Sequence, residues 1–488
     1  MVLTYIGLII AALGLFLMFR GGMMEMLLLV MGCSLLGGSA AAQMPALGGS
    51  SIPPAQFALL FAMARMTLPN SQRWAQAREA VRANGFLGIY ALYGLLAAAL
   101  APSFFRGEIE VTAMRNPTPT HTLFDTVPLA PSPQNITVAV YMLGSFCAGL
   151  VTHIALREEG AGRRFVTMGV TIAWIHVALG VLAAALRGTP FDEVIDFIRN
   201  ANYNMTHQTF EGFVRITGVF AEPAAYVGFG FGWFVFLLEC WLRDVLPRRT
   251  GPAALALGLV LFFSTSSTAY LGLGVYGVIL ALRILFLPQY LEARKGMALA
   301  GAGLALLVAV SALIFLMPSF LELMLSILRQ ATIEKQASMS GMQRAFWAKI
   351  GIDAFFSSYG IGIGPGSFRS SSFFTAMLGC TGLVGSIALL AHLLRSFRPL
   401  RISTYCGPRL GRRFGEDAMI GAAGGWAAIG VLIPASVVSP TCDPGSDFAM
   451  FCAVSLALRS LAARAPQDRE TGFTPGGPLG YHARPVTI

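Results

Sequence analysis

Long apolar runs alternate with short arginine-rich segments along most of the chain. A run of about 20 apolar residues crosses a bilayer as an α-helix, which satisfies its own backbone hydrogen bonds. The pattern predicts an all-α, polytopic integral membrane protein of about 12–13 transmembrane helices. The predicted spans are Val2–Met18, Met24–Ala42, Gly85–Pro102, Ile136–Leu156, Val166–Leu186, Ala224–Leu242, Pro252–Phe263, Tyr270–Leu287, Met297–Leu316, Phe373–Leu394, Met419–Val438 and Asp447–Leu461, and Ile52–Met66 is either a further span or a re-entrant segment.

Two large polar loops interrupt the alternation, at about 187–222 and about 318–372. The short loops between other spans carry clusters of arginine, and the most basic one follows Arg395. Because such clusters stay in the cytoplasm, the two large loops are predicted to lie on the outer side of the membrane. Residues 1–463 then form one membrane domain, and 464–488 form a disordered Pro/Gly-rich tail in the cytoplasm.

The composition agrees with this class and limits the chemistry. Hydrophobic residues make up 55% of the chain and charged residues 12%, against roughly 25% charged residues in soluble domains. The net charge of +10 is explained by loop arginines, so no nucleic-acid partner is implied. The cysteines are scattered and no H-x-x-H pattern occurs, so the sequence predicts neither a metal site nor a cofactor.

The first candidate site lies where the loop 187–222 meets the next span. Its sequence is Arg215-Ile-Thr-Gly218-Val-Phe-Ala-Glu222-Pro223. Pro223 suits the first turn of a helix, and a carboxylate before it suits the positive end of the helix dipole. The segment is therefore either a motif that only begins the next helix or a site in which Arg215 binds an anion and Glu222 accepts a proton.

The second candidate site lies in the loop 318–372. Arg344 lies near the start of a predicted surface helix with an apolar stripe at Met342, Ala345, Phe346, Ile350 and Ala354. A glycine-rich run then includes Gly364 and Gly366 and continues into Arg369, Ser370, Ser371 and Ser372. Alternating glycines expose amide groups to an anion. A solvated flexible loop is the alternative interpretation.

Two further features are weaker. The run Ser264–Thr268 between two apolar segments predicts a break whose hydroxyls satisfy backbone groups, more readily than a substrate contact. Among the histidines, only His207 is well placed for general-base work because it lies upstream of Arg215 in the same loop.

Taken together, these motifs resemble the O-antigen polymerase and ligase superfamily, most closely its exopolysaccharide polymerase members. The resemblance covers roughly residues 130–400 and rests on the order of the motifs. It comprises the Arg215 to Pro223 segment, the Ser/Thr-rich break, and Ser340-x-x-x-Arg344 followed by the glycine run and Leu378-Gly-Cys-Thr-Gly-Leu-Val-Gly385.

The resemblance implies a metal-independent glycosyltransferase without a cofactor. Its substrate would be an undecaprenyl-diphosphate-linked oligosaccharide repeat unit, and its other partners membrane lipid and proteins for chain-length regulation and export. Arginine suits a departing diphosphate because its planar fork matches phosphate oxygens. The resulting catalytic candidates are Glu222, Arg215 and Arg344, and the substrate-binding candidates are Arg369, His207, Gly364, Gly366, Ser371 and Ser372.

The chain departs from the family in one place. Ligases and many polymerases carry a histidine after the glycine run, where this chain has Arg369-Ser-Ser-Ser372. The departure weakens a ligase reading and leaves the assignment of the base open, although Glu222 is preferred to His207. A polysaccharide ligase, a lipid-linked oligosaccharide flippase or exporter, and a structural subunit stay open as alternatives.

Overall fold

A computed structural model describes residues 2–45, 50–68, 71–114, 124–201, 209–210, 213–286, 293–316, 339–398 and 415–471. These residues form sixteen α-helices and three small antiparallel sheets. The helices are α1 (Tyr5–Arg20), α2 (Met23–Ser34), α3 (Pro54–Thr67), α4 (Ser71–Ala83), α5 (Gly85–Phe104), α6 (Pro133–Ala155), α7 (Ala161–Ala185), α8 (Pro190–Ile198), α9 (Pro223–Leu242), α10 (Pro247–Phe263), α11 (Ser267–Phe286), α12 (Ala293–Leu316), α13 (Met339–Ser357), α14 (Phe373–Phe397), α15 (Glu416–Val438) and α16 (Ser446–Thr471).

Seven of the described helices are long and apolar enough to cross a membrane, namely α5, α6, α7, α9, α11, α14 and α15. The chain is therefore an all-α polytopic membrane protein, as the sequence predicts. The helices α1 and α2 are apolar but shorter, at 16 and 12 residues. The total of about 12–13 spans stays a prediction.

The bundle is built around α9 and α15. In these two helices 72% and 78% of the most apolar stretch is buried, against 28% in α11. Small residues allow the close packing, since a Cβ on Gly424 of α15 would lie 2.9 Å from the Phe451 carbonyl oxygen of α16. Outer helices instead expose large apolar side chains such as Phe104 and Phe286, which suits contact with lipid.

The second predicted span, Met24–Ala42, is shorter in the structure. The helix α2 ends at Ser34, and Ala42–Met44 is the middle strand, β2, of a small sheet with β1 (Val2–Leu3) and β3 (Ser50–Ile52). Past the helix end, the Phe220 ring packs on Gly37 and the Val219 carbonyl packs on Gly38, so that neither position has space for a side chain. The Gly38 amide donates to the Val219 carbonyl at 2.9 Å.

Other boundaries also differ from the prediction. The basic segment 71–83 is a helix, α4, and α16 continues through the domain boundary expected at 463 as far as Thr471. Two short β-hairpins lie between helices, one between α5 and α6 and the other between α8 and α9. They pair β4 (Glu110–Val111) with β5 (Val127–Pro128), and β6 (Thr209–Phe210) with β7 (Phe213–Val214). The remainder of the predicted tail, 472–488, lies outside the described residues.

The Ser264–Thr268 break has the predicted structural role. It separates α10 from α11, and the Ser264 hydroxyl donates to the Leu261 carbonyl at 2.6 Å. Thr265 adopts a left-handed backbone with φ of 51°. The hydroxyl therefore satisfies a carbonyl at the helix end, as expected where a helix stops inside a membrane bundle.

A buried ionic cluster joins α9 to α11 and α15. The pattern of apolar runs and arginines did not predict this cluster. The Glu239 carboxylate accepts from both terminal nitrogens of Arg283, at 2.6 and 3.1 Å, and from Arg243 and the Tyr276 hydroxyl. The Arg283 guanidinium also stacks over the Trp426 ring, 3.7 Å from its centroid. A carboxylate this buried is tolerated because every cation around it is hydrogen-bonded to it.

We expect Glu239→Ala to destabilise the protein by about 3–5 kcal/mol, because it leaves two cations buried without their acceptor. Thermal unfolding in detergent measures the loss. Glu416→Ala is the matched control. The Glu416 carboxylate lies 3.4 Å from Nε of Arg163, and the two side chains are 41% and 62% exposed. Exposed ion pairs of this kind contribute less than about 1 kcal/mol to stability. Equal losses in the two variants would contradict the structural role of the cluster.

Candidate functional site

The segment before α9 is held in place by a buried arginine, Arg199, at the end of α8. Its guanidinium donates to the Gly218 carbonyl, with Nε at 3.0 Å, and to the Thr217 hydroxyl at 3.3 Å. Gly218 has φ of +53°, and a Cβ there would lie 2.9 Å from the Tyr226 ring. The glycine in the Arg215 to Pro223 motif is therefore required by a left-handed turn against a packed aromatic ring.

Glu222 is the N-cap residue of α9, and Pro223 occupies the first turn as predicted. The Glu222 backbone is extended, and its carbonyl accepts from the Tyr226 amide at 3.1 Å. The side chain makes no capping hydrogen bond. The carboxylate is thus placed at the positive end of the α9 dipole without being consumed as a cap.

Arg344 lies on α13, the helix predicted in the second large loop. Its backbone is tied to the segment after the glycine run, because the Ser371 hydroxyl donates to the Arg344 carbonyl at 2.6 Å. The predicted apolar stripe is partly wrong, since Ile350 and Ala354 are buried whereas Met342 and Ala345 are exposed. The cause is that α13 packs on α14 through its C-terminal half, where Gly351 meets the Thr375 carbonyl.

The structure brings Arg215, Arg344 and Glu222 together. Burial lowers the pKa of Arg215, the nearby Arg344 charge lowers this pKa further, and the Glu222 carboxylate raises it. Burial likewise lowers the pKa of Arg344, and Glu222 raises it. Two half-buried guanidinium groups and one carboxylate, taken from two separate loops, therefore share one electrostatic environment.

Arg369 approaches the same helix from the other side of the second loop. Its guanidinium lies over the Trp347 ring of α13, 4.7 Å from the centroid. Its backbone is fixed by Thr112, which accepts from the Arg369 amide at 3.0 Å and donates its hydroxyl to the Arg369 carbonyl at 2.9 Å. A third arginine is thus positioned one helical turn from Arg344, since Trp347 is three residues further on.

The glycine run is inserted into a break in α14. The break is at Gly382, which has φ of 57° and ψ of −154°. The freed backbone groups are satisfied by the run: the Ile363 amide donates to the Gly379 carbonyl at 2.8 Å, the Gly364 amide donates to the Cys380 carbonyl at 3.0 Å, and the Leu383 amide donates to the Gly360 carbonyl at 2.8 Å. We call residues 360–366 the glycine turn.

The contacts explain why this turn is glycine-rich. A Cβ on Gly364 would lie 2.6 Å from the Ala97 carbonyl oxygen of α5, and one on Gly366 would lie 2.3 Å from the Gln134 carbonyl oxygen of α6. Both glycines also have positive φ. The Gly364 amide donates to the Cys380 carbonyl, so the contacts of these glycines give them a packing role, and their predicted anion-binding role stays a prediction.

The serines after the turn are also engaged with the protein. The Ser371 hydroxyl bonds Arg344, and Ser372 caps α14 with its carbonyl accepting from the Thr375 hydroxyl at 3.2 Å. The Ser370 amide donates to the Pro440 carbonyl at 3.1 Å, which ties this loop to the α15–α16 connection. Ser371 therefore helps to position the Arg344 backbone, Ser372 begins α14, and the predicted contact of both serines with substrate stays a prediction.

Sequence reasoning missed Arg199, because its role depends on Thr217 and Gly218, which lie 18 and 19 residues further along the chain. The signal that could have revealed it is its place beside Asp196 in an otherwise weakly cationic loop. The candidate base His207 lies outside the described residues. Within the described ranges, no group of three or more His, Cys, Asp or Glu side chains is placed to hold a metal ion.

Comparison of the chain with family models and with curated proteins gives no match.

We expect Gly382→Ala to destabilise the fold by about 3 kcal/mol or more, because only glycine readily adopts this backbone conformation. The added Cβ would also lie 2.1 Å from the Gly360 carbonyl oxygen. Gly277→Ala in α11 is the control, since a Cβ there meets nothing within 4 Å. Thermal unfolding in detergent reports both, and a Gly382→Ala variant as stable as Gly277→Ala would show that the break is not needed.

Proposed function

We propose that the protein is a polymerase that joins polyprenyl-diphosphate-linked oligosaccharide repeat units at the periplasmic face of a bacterial inner membrane. The observation that carries the proposal is the convergence of Arg215, Arg344 and Glu222 from two separate loops. Two cations beside one carboxylate suit a reaction in which a diphosphate leaves and a hydroxyl loses its proton. The motif resemblance described above supports the same reaction class.

In the proposed reaction, a sugar hydroxyl of one repeat unit attacks the anomeric carbon of another. A new glycosidic carbon–oxygen bond forms, and the bond between the anomeric carbon and the polyprenyl diphosphate breaks. The hydroxyl proton passes to the Glu222 carboxylate. The electron pair of the broken bond leaves with the diphosphate, whose growing negative charge is stabilised by Arg215 and Arg344.

A neighbouring cavity suits the lipid part of such a donor. It has a volume of about 350 Å³ and is mainly lined by apolar residues such as Met114 and Val127, with Gly366 at one side. It lies next to Arg369, because Thr112 in the same segment is bonded to the Arg369 backbone. We propose that the first prenyl groups lie here while the diphosphate reaches the arginines.

The direct test is to incubate purified protein with a lipid-diphosphate-linked repeat unit, a chelator and no nucleotide. A ladder of products that grow by one repeat unit would support the polymerase. Transfer only to a different acceptor would instead identify a ligase. Movement of the intact substrate between leaflets without new glycosidic bonds would identify a flippase.

We expect Arg215→Ala and Arg344→Ala each to lower polymerisation by about 100-fold or more, because each removes a fixed donor from the leaving diphosphate. Gel analysis of polymer length, with protein level in the membrane as a check on folding, measures the effect. Arg106→Ala is the matched control, since Arg106 is an exposed arginine in another polar loop. Normal polymer length in both site variants would refute the arginine assignment.

We expect Glu222→Gln to lower turnover by about 100-fold or more while donor binding is kept, because an amide cannot accept the proton. Glu222→Asp should retain part of the activity. Asp353→Asn removes an exposed carboxylate from α13 and should leave the rate unchanged. If Glu222→Gln turned over at the wild-type rate, the base would have to be another group.

A further inference from the structure

A second cationic site lies at the opposite end of the bundle. A cavity of about 890 Å³ is lined by Arg78, Glu79 and Arg82 of α4, His153 of α6, and Arg395 and Arg398 at the end of α14. We call it the arginine cleft. We call Arg215, Arg344 and Glu222 the Arg215 cluster. This cluster lies near the start of α14, whereas the arginine cleft lies at the end of the same helix. The helix has 25 residues, and its length, at a rise of about 1.5 Å per residue, separates the two sites.

Among the side chains that the structure describes, no carboxylate forms an ion pair with an arginine of the cleft. Among the described residues, the side chains of Arg78, Arg82, Arg395 and Arg398 make no hydrogen bond or ion pair. The carboxylate in the lining, Glu79, accepts from Arg157 at 2.6 Å and is thereby occupied by another cation. Several guanidinium groups around one cavity favour an anion with several oxygens.

The arginines come as two pairs on two helices. Arg78 and Arg82 are spaced i and i+4 on α4, so they lie on one face of that helix. Arg395 and Arg398 are spaced i and i+3 at the end of α14, and they line the same cavity. Two pairs facing one space suit a ligand with phosphate groups, because each guanidinium can bind two phosphate oxygens.

Apolar surface adjoins the arginines, which favours a lipid over a soluble anion. The Arg395 guanidinium lies 5.7 Å from the Phe86 ring centroid on α5. Leu394 and Leu390 on α14 are 62% and 57% exposed, and Trp74 on α4 is 58% exposed. Acyl chains could follow these exposed side chains while the headgroup stays among the arginines.

We propose that the arginine cleft binds the phosphate groups of an anionic membrane phospholipid, whose acyl chains lie along the exposed faces of α5 and α14. Basic pockets between the ends of transmembrane helices suit such headgroups. This site is separate from the Arg215 cluster and does not depend on the reaction proposed there.

Lipid retention by the purified, delipidated protein tests the proposal. The probes are cardiolipin, phosphatidylglycerol and phosphatidylcholine, counted by native mass spectrometry, with inorganic pyrophosphate as the soluble probe. The wild-type protein should retain the two anionic lipids in preference to phosphatidylcholine. Arg395→Gln combined with Arg398→Gln should lower that retention about tenfold or more, because charge-assisted phosphate contacts are lost.

The matched control combines Arg248→Gln with Arg249→Gln, two exposed arginines at the start of α10. It removes the same charge outside the cleft and should retain lipid like the wild-type protein. Equal loss in both double variants would overturn the proposal, as would pyrophosphate binding as tightly as the anionic lipids. Arg78→Gln combined with Arg82→Gln tests the other wall, and wild-type lipid retention in that folded variant would also overturn it.

Discussion

The break in α14 at Gly382 is the constraint around which the candidate site is organised. A helix inside a membrane cannot leave backbone amides and carbonyls unsatisfied, because no water is present to bond them. Here the glycine turn supplies the partners, with the Ile363 and Gly364 amides bonding the carbonyls of Gly379 and Cys380. The turn must approach the backbones of three helices, and only glycine leaves space for that approach.

The residues that follow the glycine turn are fixed by further backbone contacts. After the turn, Thr112 bonds the Arg369 backbone, and the Ser371 hydroxyl donates to the Arg344 carbonyl. The other loop is fixed independently, because Arg199 holds the Gly218 turn and α9 begins at Pro223. Two separate sets of contacts thus hold Arg215 and Arg344 near each other. They do so despite the repulsion between the two charges and the partial burial of both side chains.

The sequence predicted what depends on local pattern. Apolar runs located α5, α6 and α7 within a few residues, and the Glu222-Pro223 pair located the start of α9. The sequence pattern could not predict features that depend on contacts with residues distant along the chain. Residues 219–220 pack on Gly37 and Gly38 past the end of α2, and the glycine turn is buried because α5 and α6 surround it.

The same limit explains why the packing role of the glycines and the buried ion cluster were not predicted. Alternating glycines suit an exposed anion cradle and a buried helix break equally well, and the choice depends on the break at Gly382, about 20 residues further on. Glu239, inside an apolar span, has its main partner in Arg283 on another helix. An isolated charge in a span signals only that some partner exists, not which one.

The two cationic sites differ in a way that bears on what each can do. At the Arg215 cluster, the carboxylate of Glu222 shares the environment of the arginines. In the arginine cleft the lining carboxylate, Glu79, is bonded to Arg157. The proposed reaction needs both a cation for the leaving group and an acceptor for the proton, whereas phosphate binding needs only cations. This difference is the reason for proposing a reaction at the Arg215 cluster and only binding in the arginine cleft.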